Sequence, residues 1–566
     1  ANATSWIFEP GWQSEQYYKG DTNILNTVLR NQELELEVVL TDFAVPHEDL
    51  LVRRISVHNQ SNSRRQISIM MYSDMMIGEF RRYHTTVFLP EVEGLWQFKK
   101  NSHFIIGSDG KLTGFQCGKA LENACKDKLE PNPHMMMSDG ALKWDLKNIN
   151  PGGQVGITIY MAMGQTLEEA QTRLVLARET GFQELEKNCC RYWQEYLSQA
   201  KQVNTGNSQL DALYRRSLLV FHLMTDKDYG SMLAAPEFDE DFTSCGGYSY
   251  CWGRDAAYIT YTIDRAGMKE AARKFYRWTI KAQNNNGAWE QRHYLDGAIA
   301  PNWGLQIDET GSIIWGMWQH YLLNKDEEVL QEFWPSIRLA AEFLVGFINE
   351  KTGLPSSSFD LWEERCGEHT YSAVAVWAGL NAAVQAAGQL GHYLEAKTWQ
   401  KVSDNIKATI ENRLWNEKKQ CFLRGIYPDE KGGIVEDDIV DVSLLGLVFP
   451  FEYLPADHPR MVATANAVEQ RLTSSKVGGI KRYEDDEYIG GNPWILCTLW
   501  LALYYVRRGN QIQATKLLEW AVDHQTHSGL LPEQIDKETG KPAWVIPLTW
   551  SHAMLVLTIL ELFPER

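Results

Sequence analysis

The chain has 566 residues, 44% of them hydrophobic, and a net charge of −18, with a mean hydropathy of −0.36. That length exceeds one ordinary core, so two domains or one large one are expected. The acidic balance excludes a nucleic-acid binder, which needs a basic footprint, and suits an enzyme with a neutral substrate.

No apolar run reaches the ~18 residues that span a membrane. The opening Ala1-Asn2-Ala3-Thr4-Ser5-Trp6 has neither the basic nor the apolar region of a signal peptide and no initiator Met, so a mature, processed or partial chain is expected. The nine Cys are scattered, with no Cys-x-x-Cys, and the vicinal Cys189-Cys190 has no His spaced for zinc. This is neither a disulfide framework nor a metal site. Cysteine usage favours a reducing cytoplasm, with secretion open if the chain is a processed form. The 21 Trp and 24 Tyr suit sugar stacking and suit a large aromatic core equally well.

From about residue 30 to 165 the pattern is β. Leu34-Glu35-Leu36-Glu37-Val38, Leu51 to Val57, Gln66 to Met70 and Val155 to Tyr160 alternate with period two, separated by turn clusters such as Asn59 to Ser63 and Asn150-Pro151-Gly152-Gly153. An antiparallel sandwich is expected over about 1–165. His84 and His103 stand alone there and read as structural or solvated. Thr166-Leu167-Glu168-Glu169 opens like a capped helix, and about 166–203 reads as a helical linker.

From about 204 to 566 the pattern is helical. The expected helices lie at about 206–225, 254–267, 268–284, 308–323, 326–350, 370–391, 393–414, 437–448, 458–473, 492–508, 510–525 and 547–563. Long connections alternate with short ones, which suits a closed ring of helical hairpins with the long loops on one face.

Those loops hold the chemistry. Trp252-Gly253-Arg254-Asp255 either caps the next helix or grips hydroxyls with Trp252 as a wall. Trp303 and Gln306 precede Asp308-Glu309, which read as helix-start acids. Asp360-Leu361-Trp362-Glu363-Glu364-Arg365 is an acid pair beside an aromatic. Arg482 and Tyr483 lead an acid run, Glu484 to Glu487, that reads mostly as a solvated face. Glu533 follows Pro532 and lies more than a turn before the next helix, so capping explains it poorly. A carboxylate here and one at Glu363 would give the pair that glycoside hydrolysis requires, one protonated and one ionised. Their separation is not readable from sequence, nor therefore is inversion or retention.

The set resembles glycoside hydrolase family 15, the glucoamylase-like enzymes, over about residues 230–563. The resemblance is carried by Trp252-Gly253-Arg254-Asp255, Trp303 with Asp308-Glu309-Thr310, Asp360-Leu361-Trp362-Glu363-Glu364, Arg482-Tyr483, Gly491-Asn492-Pro493-Trp494, Leu531-Pro532-Glu533-Gln534 and Leu548-Thr549-Trp550-Ser551. It implies an (α/α)6 barrel, preceded in prokaryotic members by a β-sandwich and a helical linker. It implies Glu363 as general acid and Glu533 as general base of an inverting exo-hydrolase that releases β-glucose from the non-reducing end of an α-glucan.

By the same resemblance Arg254 and Asp255 hold the terminal sugar, Trp303 is an aromatic wall, and Trp252, Trp362, Glu364, Arg482, Tyr483 and Trp550 complete the substrate-binding set. No cofactor is required for the chemistry, and a structural Ca²⁺ would leave no readable motif. The β region is short for the family sandwich, which implies missing N-terminal strands. The end at Arg566 leaves no C-terminal starch-binding domain and favours soluble oligosaccharides. The family also contains enzymes acting on α-1,6 links and on trehalose, and a non-catalytic carbohydrate-binding or regulatory protein could use the same barrel.

Overall fold

The structure, a computed structural model, describes residues 4–78, 83–146, 148–237, 239, 245–428 and 433–564. Contacts divide the chain into two units, Ala1–Tyr196 and Leu197–Arg566.

In the first unit the strands are β1 (Gln13–Tyr18), β2 (Leu25–Asn31), β3 (Leu36–Ala44), β4 (Leu50–Asn59), β5 (Ser68–Ser73), β6 (Thr85–Leu89), β7 (Gly94–Lys99), β8 (Ser102–Ser108), β9 (Gly114–Cys117), β10 (His134–Met136), β11 (Gly140–Asp145) and β12 (Gln154–Gly164). Nine of them form one sheet in the order β1-β2-β3-β4-β12-β8-β7-β6-β10, and β5-β11-β9 form another. Val38, Leu40, Ile55, Val57 and Ile106 of the large sheet share a core with Leu142 and Trp144 of the small one. Alternation puts these side chains on one face of each sheet, as a sandwich requires.

Strand structure begins at Gln13, well before residue 30. The earlier strand was missed because β1 is an exposed edge, Gln-Ser-Glu-Gln-Tyr-Tyr, with no alternating apolar face. A short helix, α1 (Ala120–Cys125), also lies within the β region. Helix α2 (Leu167–Thr180) starts where expected. The Thr166 side chain accepts from Glu169 N, and the Glu169 carboxylate accepts from Gln165 N. The helix packs along β8 and β12. Gly181, at φ +77°, separates it from α3 (Phe182–Ser198).

The second unit holds α4 (Ser208–Met224), α5 (Gly253–Arg265), α6 (Lys269–Ala282), α7 (Ile307–Asn324), α8 (Glu327–Gly346), α9 (Thr370–Leu390), α10 (Tyr393–Arg413), α11 (Pro459–Leu472), α12 (Ile495–Arg507), α13 (Gln511–Asp523) and α14 (Thr549–Leu562). The expected helix at about 437–448 does not form. In its place a strand, Ile434–Asp437, leads to a 3-10 turn, Val442–Leu447. Asp441 caps that turn by accepting from Ser443 N. The Val442 N–H is spent on the Arg482 carbonyl, and Pro450 follows closely, so no longer helix can propagate.

α5 packs on α7, α7 on α9, α9 on the 3-10 turn, the turn on α12, α12 on α14, and α14 back on α5. The ring closes. α6, α8, α10, α11, α13 and α4 pack outside this ring, each against one or two of its members, giving an (α/α)6 barrel.

The inner helices are buried almost all round. Every residue of α12 from Ile495 to Tyr504 is buried, which is why its sequence is apolar on every face. α7 and α9 touch backbone to backbone. A Cβ on Gly311 would sit 2.4 Å from the Ala375 carbonyl oxygen. Each inner member follows an outer one in the chain, so all six run the same way. Their N-terminal ends share one end of the barrel, and the long loops enter there.

Candidate active site

Every residue singled out on the long loops lies at that end. The loop before α9 is a hairpin between Ser358–Phe359 and Cys366–His369. Asp360 organises its turn: Oδ1 accepts from Glu364 N (2.8 Å) and Arg365 N (3.1 Å). Gln306 Nε2 donates to the Asp360 carbonyl at 2.5 Å and Trp303 Nε1 to the Glu363 carbonyl at 3.1 Å. Glu363 itself is left-handed, at φ +67°, a conformation that costs a non-glycine residue about 1 kcal/mol or more and persists only where its surroundings hold it.

Glu363 and Glu364 are neighbours in the chain with opposite electrostatics. Burial pushes the Glu363 carboxyl up to about 7, against the pull of the Arg254 charge and of a 2.5 Å hydrogen bond that Trp252 Nε1 donates to Oε1. Burial also raises Glu364, but Arg482 and Tyr483 outweigh it and hold that carboxyl below its usual value. Its Oε1 accepts from Arg482 Nη2 (2.7 Å), while Oε2 takes the Tyr483 hydroxyl (2.5 Å) and pairs with Arg365 (2.8 Å). One acid is suited to carry a proton near neutrality and the other to stay ionised.

Glu533 is 2% exposed and stands in a bend just before the short strand Gln534–Ile535, anchored on both sides. Its N–H donates to the Val545 carbonyl and its own carbonyl accepts from Ile495 N. Oε1 accepts from the Tyr248 hydroxyl (2.8 Å) and Oε2 from Gln534 Nε2 (2.8 Å). The Tyr248 hydroxyl also meets the Tyr488 hydroxyl (3.0 Å) and accepts from Trp544 Nε1 (3.3 Å). Burial again pushes the carboxyl up to about 7, opposed by the Gln534 and Tyr248 hydrogen bonds.

The loop is braced from below by His552. Its Nε2 accepts from Leu531 N and its Nδ1 meets Ser217 Oγ at 2.9 Å. Accepting at Nε2 places the proton on Nδ1, and burial, pushing this ring down to about 3, keeps it neutral.

The loop from Tyr248 to Trp252 joins the two carboxyls, because Trp252 bonds Glu363 and Tyr248 bonds Glu533. The Asp255 charge raises both acids, so both lie within its field and belong to one site. Arg254 is buried and pairs with Asp255 (3.2 Å), Asp308 (3.0 Å) and Glu309 (3.2 Å). It lies 5.9 Å from the ring of Trp550, which is buried against Tyr258 and Trp500 and so backs the arginine from the barrel core.

Arg482 makes a two-point contact with Asp486, at 2.9 and 2.7 Å, and sits among the rings of Trp362, Tyr483, Tyr488 and Trp494. Burial works against its charge, but Asp486 and Glu364 outweigh that and keep it cationic. Trp362 donates from Nε1 to Asp441 Oδ2 at 2.9 Å. Trp303 is the open aromatic of the set, 48% exposed, with Arg292 stacked 5.0 Å from its ring.

Several residues at this end were not singled out from sequence: Tyr248, Tyr488, Trp544, Arg292, Arg365, Gln534, Asp486 and His552. Tyr248 was the most accessible of these. It shares a loop with Trp252, yet alternation in Tyr248-Ser249-Tyr250 gives no sign which tyrosine faces the carboxylate.

A sequence model of glycosyl hydrolases family 15 matches residues 207–560. An uncharacterized glycosyl hydrolase of Methanocaldococcus jannaschii is 30% identical, over 98% of this chain and 91% of its own length. An isomaltose glucohydrolase of Kribbella flavida is 25% identical over 59% of this chain and 88% of its own. A trehalase of Mycobacterium tuberculosis is 25% identical over 66% of this chain and 58% of its own. Among solved structures, a bacterial glucoamylase complexed with acarbose superposes with a TM-score of 0.82 at 20% identity, over 98% of this chain and 86% of that one.

Proposed function

This chain belongs to glycosyl hydrolases family 15, and from that premise we propose that it is an inverting, exo-acting α-glucoside hydrolase that releases β-glucose from the non-reducing ends of α-1,4-linked glucan or maltooligosaccharides. Glu363, protonated, gives its proton to the glycosidic oxygen as the bond to the anomeric carbon breaks. Glu533, ionised, takes a proton from the water that attacks that carbon from the opposite face. Arg254 and Asp255 hold the hydroxyls of the terminal sugar, Trp252 and Trp303 wall it, and Glu364, held ionised by Arg482, Tyr483 and Arg365, accepts from a hydroxyl beyond the acid.

The observation that carries this reading is the pair Glu363 and Glu533, two carboxyls on separate loops, the first half-buried and the second buried, each pushed up to about 7 by desolvation. Near neutrality one can hold a proton while the other has lost its own. The enzyme class rests on the family, which sets aside the non-catalytic alternative. The relatives include an isomaltose glucohydrolase and trehalases, and these favour α-1,6 or α,α-1,1 cleavage by the same two carboxyls as the second reading.

Glucose release from maltose, maltotriose, isomaltose, dextran and trehalose separates the two. The first reading expects maltotriose and maltose to have the highest kcat/KM. A preference for isomaltose or trehalose overturns it in favour of the second, and no glucose from any of the five overturns both.

A further inference from the structure

Beneath the sugar-gripping arginine lies an acid that the reaction does not use. Glu309, in the first turn of α7, is 0% exposed, as is its neighbour Asp308, so neither is the solvated helix-start acid that its position suggests. Glu309 Oε2 accepts from the backbone N of Arg254 at 2.5 Å, and Oε1 stands 3.2 Å from Arg254 Nη1. Room for this carboxyl is made by Gly253. A Cβ there would fall 3.0 Å from Glu309 Oε2 and 2.6 Å from Ile313 Cδ1.

The charges around it do not balance. Asp255, Asp308 and Glu309 converge on the one guanidinium of Arg254. Tyr371 of α9, whose hydroxyl meets that of Tyr258, and the Trp550 ring of α14 also face that guanidinium. Among the other titratable groups within reach of the cluster are Glu363, which feels Arg254, and Asp360 and His369, which feel Asp308; burial pushes the His369 ring down. Two buried oxygens, Asp308 Oδ1 and Glu309 Oε1, have no hydrogen-bond partner in the protein. Three anions meet one cation, and two of them, Asp308 and Glu309, are closed off from water while Asp255 keeps a solvent-facing edge. The charge left uncompensated around the two buried acids is what a protein sheds by protonating a carboxyl.

Of the three, Asp255 is bonded through Oδ1 to Arg254 Nε at 3.2 Å and Asp308 through Oδ2 to Nη1 at 3.0 Å. Glu309 alone takes its one hydrogen bond from a backbone N–H, which does not require a charge. Burial also pushes Glu309 well above an ordinary carboxyl, and Asp308 and Asp255 push it further against Arg254.

We propose that Glu309 is a neutral carboxylic acid in the working enzyme, a positioning residue that fixes the Arg254 backbone from behind while leaving the guanidinium charge to Asp308, Asp255 and the sugar. The positioning role rests on the glycosidase reading above; the protonation state does not.

Two variants and one spectrum test it. Glu309→Gln keeps the shape and the oxygen that accepts from Arg254 N, and is expected to stay within about threefold of the parent kcat/KM with both limbs of its pH profile unmoved. Glu309→Ala frees the Arg254 backbone and is expected to lose ~100-fold, mostly in kcat. Were Glu309 ionised, its replacement by Gln would remove a buried negative charge and move the limb governed by Glu363 to lower pH; that shift overturns the proposal.

Infrared difference spectra of parent and Glu309→Gln, taken about two pH units above the titration of Glu363 and Glu533, read the proton directly. The carboxylic-acid C=O band is expected in the parent and absent from the variant. A carboxylate band lost instead overturns the proposal even if Glu309→Ala fails to fold. If the parent cleaves no glucoside but the C=O band is present, the glycosidase reading has failed and the neutral acid stands.

Discussion

The loop of Glu363 and the loop of Glu533 each raise a carboxyl to about 7 by unlike constructions. Glu363 sits in a hairpin turn wound about Asp360, in left-handed backbone, with a single indole N–H on its side chain. Glu533 sits in a bend whose backbone is bonded on both sides, with a phenol on one oxygen and an amide on the other. Burial is the largest influence on both. The difference lies in what surrounds them: the first is flanked by an ionised acid and arginines, the second by neutral hydroxyls and amides. The proposed roles, Glu363 as acid and Glu533 as base, are what substitution of each must separate, since nothing in a glutamate favours acid over base.

The strongest way to break the comparison is to neutralise one side at a time. Glu363→Gln and Glu533→Gln are each expected to lose ~10²–10⁴ in kcat on maltotriose. The residual rates should differ in kind. Glu363→Gln should lose the limb that falls on the basic side and Glu533→Gln the limb that falls on the acidic side. Identical residual profiles would show that the two carboxyls do not divide the work.

The same substitutions should stabilise the protein. A carboxyl whose folded value stands at about 7 binds its proton more tightly folded than unfolded. Its contribution is therefore fully present below the unfolded value and is lost as pH rises through about 7. At about pH 8 each Glu→Gln change is expected to raise stability by ~1–3 kcal/mol, and below about pH 4 to have little effect. Thermal unfolding at both pH values measures this, and a variant less stable than the parent at the higher pH would contradict it.

A smaller, sharper effect comes from removing one donor on each side. Both the Trp252 N–H and the Tyr248 hydroxyl favour the ionised form of their acids. Trp252→Phe should raise the Glu363 value and widen the pH–rate bell on its basic side. Tyr248→Phe should raise the Glu533 value and narrow the bell from its acidic side. Each shift should be about one unit or less, read from kcat/KM across pH. Shifts in the same limb would mean that the assignment of acid and base fails.

Much of this was legible in the chain. The strand Leu51 to Val57 was visible because one face is more deeply buried than the other; Val155 to Tyr160 alternates in sequence although both of its faces are covered; β1 was invisible because neither face is buried. The inner helices showed as long apolar stretches between turn signals. Val442–Leu447 misled because its apolar run is just as long, while Asp441, Arg482 and Pro450 decide its backbone through contacts that sequence order hides. At the site, Glu363 and Glu533 stood out by position on long loops. Glu309 did not, since an acid beside Asp308 at a helix start looks ordinary until the space cleared by Gly253, far back in the chain, shows it turned inward.

The division of labour between Glu363 and Glu533 is tested most directly by the anomer first formed. Proton NMR of maltotriose hydrolysis, followed from the first minutes before mutarotation, should show the β-glucose signal growing ahead of the α. Early α-glucose would mean attack from the face of the leaving group, and Glu533 could not then be the base that activates water on the far side of the sugar.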